Sequence, residues 1–203
     1  MQYSAKLETL HPLLDFLGII VAAALVNNVA LVQFLGVSFF IANSNRLQSA
    51  IELGMLSFIA LFISSALNLI LYRWILAPLN LDILRLVLFV MISSAVAFYL
   101  VRIVSNYFPL TWRRHELAIL LIAGNSAVIG VSLMLSTSIM PLLEALTYSF
   151  GAAFGFALVL VGFAALRERL ANADIPLPFQ GAPIQFLSAA IVAMVLLGFA
   201  GLV

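Results

Sequence analysis

Six long stretches of this chain carry no Asp, Glu, Lys or Arg. They cover residues 16–45, 53–72, 86–101, 117–143, 145–166 and 175–203. A helix crosses the hydrocarbon of a bilayer with roughly 20 apolar residues, range about 17–25. Only the third stretch falls short of that length. Arg85 and Arg102 flank it and can extend their charged heads to the interfaces, so 81–104 serves as one span. Composition agrees: 65% of the 203 residues are hydrophobic and 8% are charged. An ordinary soluble domain has about a quarter of its residues charged. So few polar side chains cannot cover a soluble core, which excludes a soluble globular domain and a disordered chain. Helices are the expected elements, because backbone in lipid must satisfy its own hydrogen bonds and barrel strands would alternate polar with apolar.

The expected fold is therefore an all-α integral membrane protein with six transmembrane helices. It forms one membrane domain over 1–203, with no linker or soluble module. The start of the chain loosely imitates a signal peptide. Glu8, His11 and Asp15 stand where such a peptide is basic or apolar, so the first span is expected to be retained. Arg46, Arg102, Arg113, Arg114, Arg167 and Arg169 follow odd-numbered spans, against Lys6, Arg73 and Arg85 on the other side. That bias places the odd loops in the cytoplasm and both termini outside. Tyr72 and Trp74 would mark the outer interface, Tyr107 and Trp112 the inner one. Asn43-Ser44-Asn45 reads as a turn before span 2, and the prolines fall at span edges.

Spans 1 and 4 are over-long and polar near the middle. Span 1 holds Asn27, Asn28 and Gln33, then Gly36-Val37-Ser38. Span 4 holds Gly124-Asn125-Ser126, then Gly130. An unpaired amide at membrane depth costs a few kcal/mol, so these residues must face protein, water or a site. Gly and Asn together also weaken a helix, which predicts broken or re-entrant segments. The two spans open corresponding halves, about 11–104 and 115–203. With three spans per half, an internal repeat here would be an inverted one, and interrupted helices at matching positions point to a midplane site. Asn28-Val29-Ala30 resembles Asn125-Ser126-Ala127, and more weakly Gly36-Val37-Ser38 resembles Gly130-Val131-Ser132. Helix-to-helix packing of small and amide residues is the plainer alternative for each residue taken singly.

Other features are less specific. Gly151 and Gly155 form a Gly-xxx-Gly pattern that permits close helix approach. Arg167-Glu168-Arg169 with Asp174 reads as a solvated cytoplasmic loop or a docking point for a partner subunit. Glu52 and Glu144 stand at the starts of spans 2 and 5, where a helix dipole favours carboxylates; cation handling is the other option. His11 and His115 make no metal signature, and no catalytic arrangement or phosphate loop is present. No basic run suggests nucleic acid. There are no cysteines, so this chain offers no disulfide, thiolate ligand or thiol chemistry.

Several stretches together resemble a known family. Leu25-Val26-Asn27-Asn28, continuing through Leu31-Val32-Gln33-Phe34-Leu35-Gly36, resembles the first membrane segment of the A subunit of Rnf-type electron-transport complexes. The E subunit of sodium-pumping NADH:quinone reductases has a closely similar segment. Tyr148 to Gly155, Leu166-Arg167-Glu168-Arg169, the run from Ala173 to Gly181, and Gly198 to Val203 are similar too. The resemblance extends from about Leu17 to Val203. It implies a six-span subunit with helices 1 and 4 broken, paired with a homologous subunit of opposite topology. It further implies flavin and iron–sulfur partner subunits in a bacterial or archaeal cytoplasmic membrane, and electron flow coupled to movement of Na⁺ or H⁺. In the family, two cysteines from each of the paired subunits hold an intramembrane iron–sulfur centre. Here those positions are Ser38 and Ser126, while Asn27, Asn28, Gly36, Gly124 and Asn125 shape the breaks. Clusters are held by thiolates, so the centre is expected to be absent or altered. No residue of this chain is expected to be catalytic or to bind a metal by itself. Two other readings stand beside this one: a stand-alone secondary transporter built on the inverted repeat, and a structural subunit without a redox centre.

Overall fold

The structure is a computed structural model that describes residues 15–33, 35–36, 47–107, 124–171 and 173–198. Ser38, the Asn43-Ser44-Asn45 turn, Trp112 and both histidines lie outside these residues. Six helices are present among them. They are α1 (Asp15–Val26), α2 (Leu47–Leu71), α3 (Arg85–Tyr107), α4 (Ser126–Thr137), α5 (Leu142–Ala171) and α6 (Ala182–Leu197). Three segments are long and apolar enough to cross a membrane: Ala50–Leu76, Asp82–Val104 and Leu142–Ala171. They coincide with expected spans 2, 3 and 5. The helices α1, α4 and α6 are shorter.

α5 and α2 form the centre, and α1, α3 and α4 pack around them. Gly151 and Gly155 face α1. A Cβ on Gly151 would lie 2.8 Å from the Ile20 carbonyl oxygen, and one on Gly155 would lie 2.6 Å from Ala24 Cα. The absence of side chains there lets the two backbones touch. Between α2 and α5, Phe150 meets Phe58 and Phe62 edge to face, with ring centroids 5.3 and 5.7 Å apart. Such pairs add to the burial of the rings themselves. α3 keeps much of its apolar surface outward, with Leu86, Val87, Met91 and Tyr99 all exposed.

α2 continues into a wide turn, Tyr72–Leu76, and ends at Pro78. Tyr72 Oη donates to Asp82 Oδ1 at 3.0 Å, and the Arg85 guanidinium lies 5.8 Å from the Tyr72 ring centroid. Arg73 donates to the Met140 carbonyl. Trp74 is 71% exposed. These polar and aromatic groups gather at one end of the α2–α3 hairpin, as an interface requires.

Three local expectations change. Span 4 does not run as one helix to residue 143. α4 stops at Thr137, Ser138 is extended at φ −77°, ψ 145°, and α5 starts after Pro141. Proline biases the residue before it away from the helical region. Thr137 Oγ1 and Ser138 Oγ donate to the last carbonyls of α4, Met134 at 3.0 Å and Leu135 at 2.8 Å. Arg167 to Arg169 are helical rather than in a loop, because α5 runs on to Ala171; Arg, Glu and Leu are all good helix formers. Glu144 stands in the first turn of α5, but Glu52 does not stand in the first turn of α2, which begins at Leu47.

Candidate functional site

The first helix break is built around one amide. α1 widens over Ala22–Val26 and closes with the Asn27 N–H donating to the Ala22 carbonyl at 2.7 Å. Asn28, fully buried, then works on both sides of the break. Its Nδ2 donates to the Ala24 carbonyl at 2.6 Å. Its Oδ1 accepts from the N–H groups of Ala30 at 3.0 Å and Leu31 at 3.3 Å. It therefore ends one helical segment and caps the next turn, satisfying groups that lipid cannot. The chain leaves this turn at Gly36, where φ is +76°. That left-handed value favours glycine.

The start of α4 repeats the device. Asn125 is extended at φ −70°, ψ 111°, and its Oδ1 accepts from the Ala127 N–H at 3.0 Å. It is the N-cap of α4, as Asn preferentially is. In both breaks the Asn oxygen takes the N–H two residues on. The second resemblance between the halves is not conformational. Gly130 lies inside α4, where the Leu35 side chain sits against it, and it has no positive φ to match Gly36.

The turn after α1 meets the start of α4. The Gly36 N–H donates to Ser126 Oγ at 2.8 Å. A Cβ on Gly36 would stand 2.7 Å from Asn125 Oδ1 and 2.8 Å from Phe156 Cε2. The structure thus brings Gly36, Asn125 and Ser126 together, at the partly positive N-terminal end of α4. Asn125 is buried, and its Nδ2 has no partner among the described residues. Asn27 and Gly124 are exposed beside their breaks.

Residues 16–203 match the family described as Rnf-Nqr subunit, membrane protein. The chain belongs to the Rnf-Nqr family of membrane subunits. It is 38% identical over 189 residues to the A subunit of the ion-translocating oxidoreductase complex of Aliivibrio salmonicida, covering 93% of this chain and 98% of that one. It is 39% identical over 191 residues to the protein of that name from Actinobacillus pleuropneumoniae serotype 5b, covering 94% and 99%. The protein of that name from Pseudoalteromonas atlantica is 39% identical over 189 residues, covering 93% and 98%.

The donor set at this site holds no thiolate. Ser126 Oγ is a hydroxyl engaged as an acceptor of a backbone N–H, and the chain has no cysteine. Among the described residues no group of three or more His, Asp or Glu is placed to hold a metal ion. Thiolates hold iron–sulfur clusters, and a serine hydroxyl is a poor substitute unless deprotonated. These residues do not fit a thiolate-held cluster.

Polar residues elsewhere in the core escape notice in the sequence. Asn68 of α2 is fully buried; its Nδ2 donates to Ser132 Oγ of α4 at 2.9 Å and to Ser93 Oγ of α3 at 3.3 Å. Its Oδ1 has no partner among the described residues. Ser65 hydrogen-bonds Ser149 across α2 and α5. Gln33, beyond the first break, hydrogen-bonds Tyr148 of α5. Side-chain amides and hydroxyls thus tie every central helix to its neighbours, as membrane packing favours. The only available signal was a lone Asn in an apolar run, with partners far away in sequence.

Proposed function

We infer that this chain is the A-type membrane component of an Rnf-like complex, one that couples electron transfer to translocation of Na⁺ or H⁺. The near full-length match to A subunits of ion-translocating oxidoreductase complexes carries this reading. The matching Asn caps and the contact of Gly36 with Ser126 support it, because they set the turn after α1 against the start of α4. On this reading the chain has six spans in two inverted halves, with both termini on the outer face of a bacterial or archaeal cytoplasmic membrane. Its partners are a homologous six-span subunit of opposite topology and the flavin and iron–sulfur subunits of the complex.

The chain supplies scaffold rather than thiolates. Ser38 and Ser126 occupy the positions of the family cysteines, and no electron step is assigned to them. Serine is nearly isosteric with cysteine, so the packing around the break survives the exchange.

Affinity purification of the tagged chain from its native membrane tests this reading. A second six-span homologue and redox subunits should accompany it, and ion uptake by the reconstituted complex should depend on electron transfer. Recovery as a lone protein that transports a solute after reconstitution overturns the assignment. Iron analysis with electron paramagnetic resonance tests the second part. Ser126→Ala should leave the iron content unchanged, whereas loss of a stoichiometric cluster in that variant would show that serine is a ligand after all.

A further inference from the structure

The core between α2, α3 and α4 holds a cluster of oxygens that the contact of Gly36 with Ser126 does not use. Asn68 and Ser132 are fully buried, and Ser93 is 2% exposed. Asn68 Nδ2 reaches both hydroxyls, Ser132 Oγ at 2.9 Å and Ser93 Oγ at 3.3 Å. One amide therefore stands where three helices meet, and each helix contributes one side-chain oxygen. These oxygens are only partly engaged. Asn68 Oδ1 has no partner among the described residues. Ser132 commits its proton to the Val128 carbonyl at 2.8 Å, so it presents lone pairs alone to Asn68. An unpaired amide oxygen in the core of a membrane bundle is costly, and such a group marks a place where something else binds.

The donor set decides what that is. Rotation about the last torsion of an Asn side chain is soft. It turns Oδ1 to the place that Nδ2 occupies, within the same reach of both hydroxyls. A carbonyl oxygen and two hydroxyl oxygens then face one point, and such hard ligands suit a hard cation. Among the described residues no Asp or Glu is buried. A divalent ion would bring two charges into the core with no carboxylate to balance them, as its sites ordinarily supply. A proton does not suit the cluster, because neither an amide nor an aliphatic hydroxyl takes one up near neutral pH. A monovalent metal ion remains, and neutral oxygens replace the hydration shell of such ions at membrane depth. Leu69, Phe89 and Val131, each within one turn of these residues, are fully buried too. Close packing on every helix favours Na⁺ over the larger K⁺.

We propose that Asn68 Oδ1, Ser93 Oγ and Ser132 Oγ bind one Na⁺ ion where α2, α3 and α4 meet. The ion replaces the two amide hydrogen bonds and ties the 12-residue α4 to the two longer helices. The site stands on the packing of these helices, whatever complex the chain joins.

The test uses the protein purified from its membrane with the subunits that accompany it, in neutral detergent and choline chloride. Binding of radioactive Na⁺ and thermal unfolding are followed as NaCl replaces choline chloride at constant ionic strength, with KCl as the third salt. Na⁺ should bind and should raise the unfolding midpoint more than K⁺ does. Asn68→Leu should remove one bound Na⁺ per chain. Ser132→Ala should weaken binding about tenfold or more, a loss that even the outer partners of a metal site command. Asn68→Asp should bind Na⁺ more tightly than the unmodified protein and gain more stability from it, which provides a second arm should Asn68→Leu fail to fold. Ser57→Ala removes another buried hydroxyl without a partner, outside the cluster, and should leave the bound Na⁺ unchanged. The proposal is overturned if the unmodified protein binds no Na⁺ or if Asn68→Leu keeps all of it. Equal protection by K⁺ overturns it too, as does an Asn68→Asp variant that binds Na⁺ no more tightly.

Discussion

The backbone N–H of Gly36 donates to the hydroxyl of Ser126 at 2.8 Å, joining the turn after α1 to the start of α4 across 90 residues of chain. This bond needs Gly36 to stay at φ +76° with its Cα pressed against Asn125 and Phe156. Gly36→Ala meets both obstacles, since alanine resists positive φ and its Cβ would stand 2.7 Å from Asn125 Oδ1. A strained backbone and overpacking each cost about 1–3 kcal/mol, so the variant should lose at least 2 kcal/mol or so. Unfolding in detergent–lipid mixed micelles reads this directly, and an unchanged midpoint would show that the junction relaxes freely.

The two capping asparagines do unequal work. Asn28 uses both its amide atoms, donating to Ala24 and accepting from Ala30 and Leu31. Among the described residues, Asn125 uses only its oxygen, and its buried Nδ2 stands without a partner. Serine keeps the capping oxygen and has a much smaller donor reach. Asn125→Ser should therefore change stability by less than about 0.5 kcal/mol, since it keeps the cap and removes an orphan donor that costs about 1–3 kcal/mol. Asn28→Ser should cost about 1–2 kcal/mol more, because Ala24 loses its partner where no water replaces it. Equal losses in the two variants would mean that Nδ2 of Asn125 is satisfied by another subunit in the assembled protein.

The end of α1 and the start of α4 are legible in the sequence because amides and glycines in uncharged runs have no comfortable place in lipid. Asn28 and Asn125 show themselves by that contrast, and Gly151 and Gly155 by their four-residue spacing. The turn from α4 into α5 is hidden for the opposite reason: residues 138–140 are uncharged, so charge counting carries through them. Only Pro141 marks the boundary. Arg167 illustrates another limit. Its charge suggests a loop, while its helical conformation and the cavity it lines depend on how α5 meets α6. The junction of Gly36 with Ser126 depends on α1 and α4 meeting in space, which neither local pattern encodes.

Asn68 is the residue that hydropathy hides most completely, since it stands alone in the apolar run of α2 while its partners Ser93 and Ser132 come from α3 and α4. Ser132 Oγ also donates to the Val128 carbonyl at 2.8 Å, so it keeps a partner when the amide is removed. Asn68→Leu also deletes an unpaired buried oxygen. Interhelical hydrogen bonds in membranes average about 0.6 kcal/mol, so Asn68→Leu should cost about 1 kcal/mol or less. Asn68→Asp is nearly the same size but brings a carboxylate into a fully buried position without a cationic partner among the contacts of Asn68. A central Asp costs about 2.5–3.5 kcal/mol on insertion scales, so this variant should be the less stable by about 2 kcal/mol or more. Denaturation midpoints of the two variants in one lipid mixture without Na⁺ decide the matter. An Asp variant as stable as the Leu variant would show that a cation, or a proton taken up from solution, reaches Asn68 from outside the packed core.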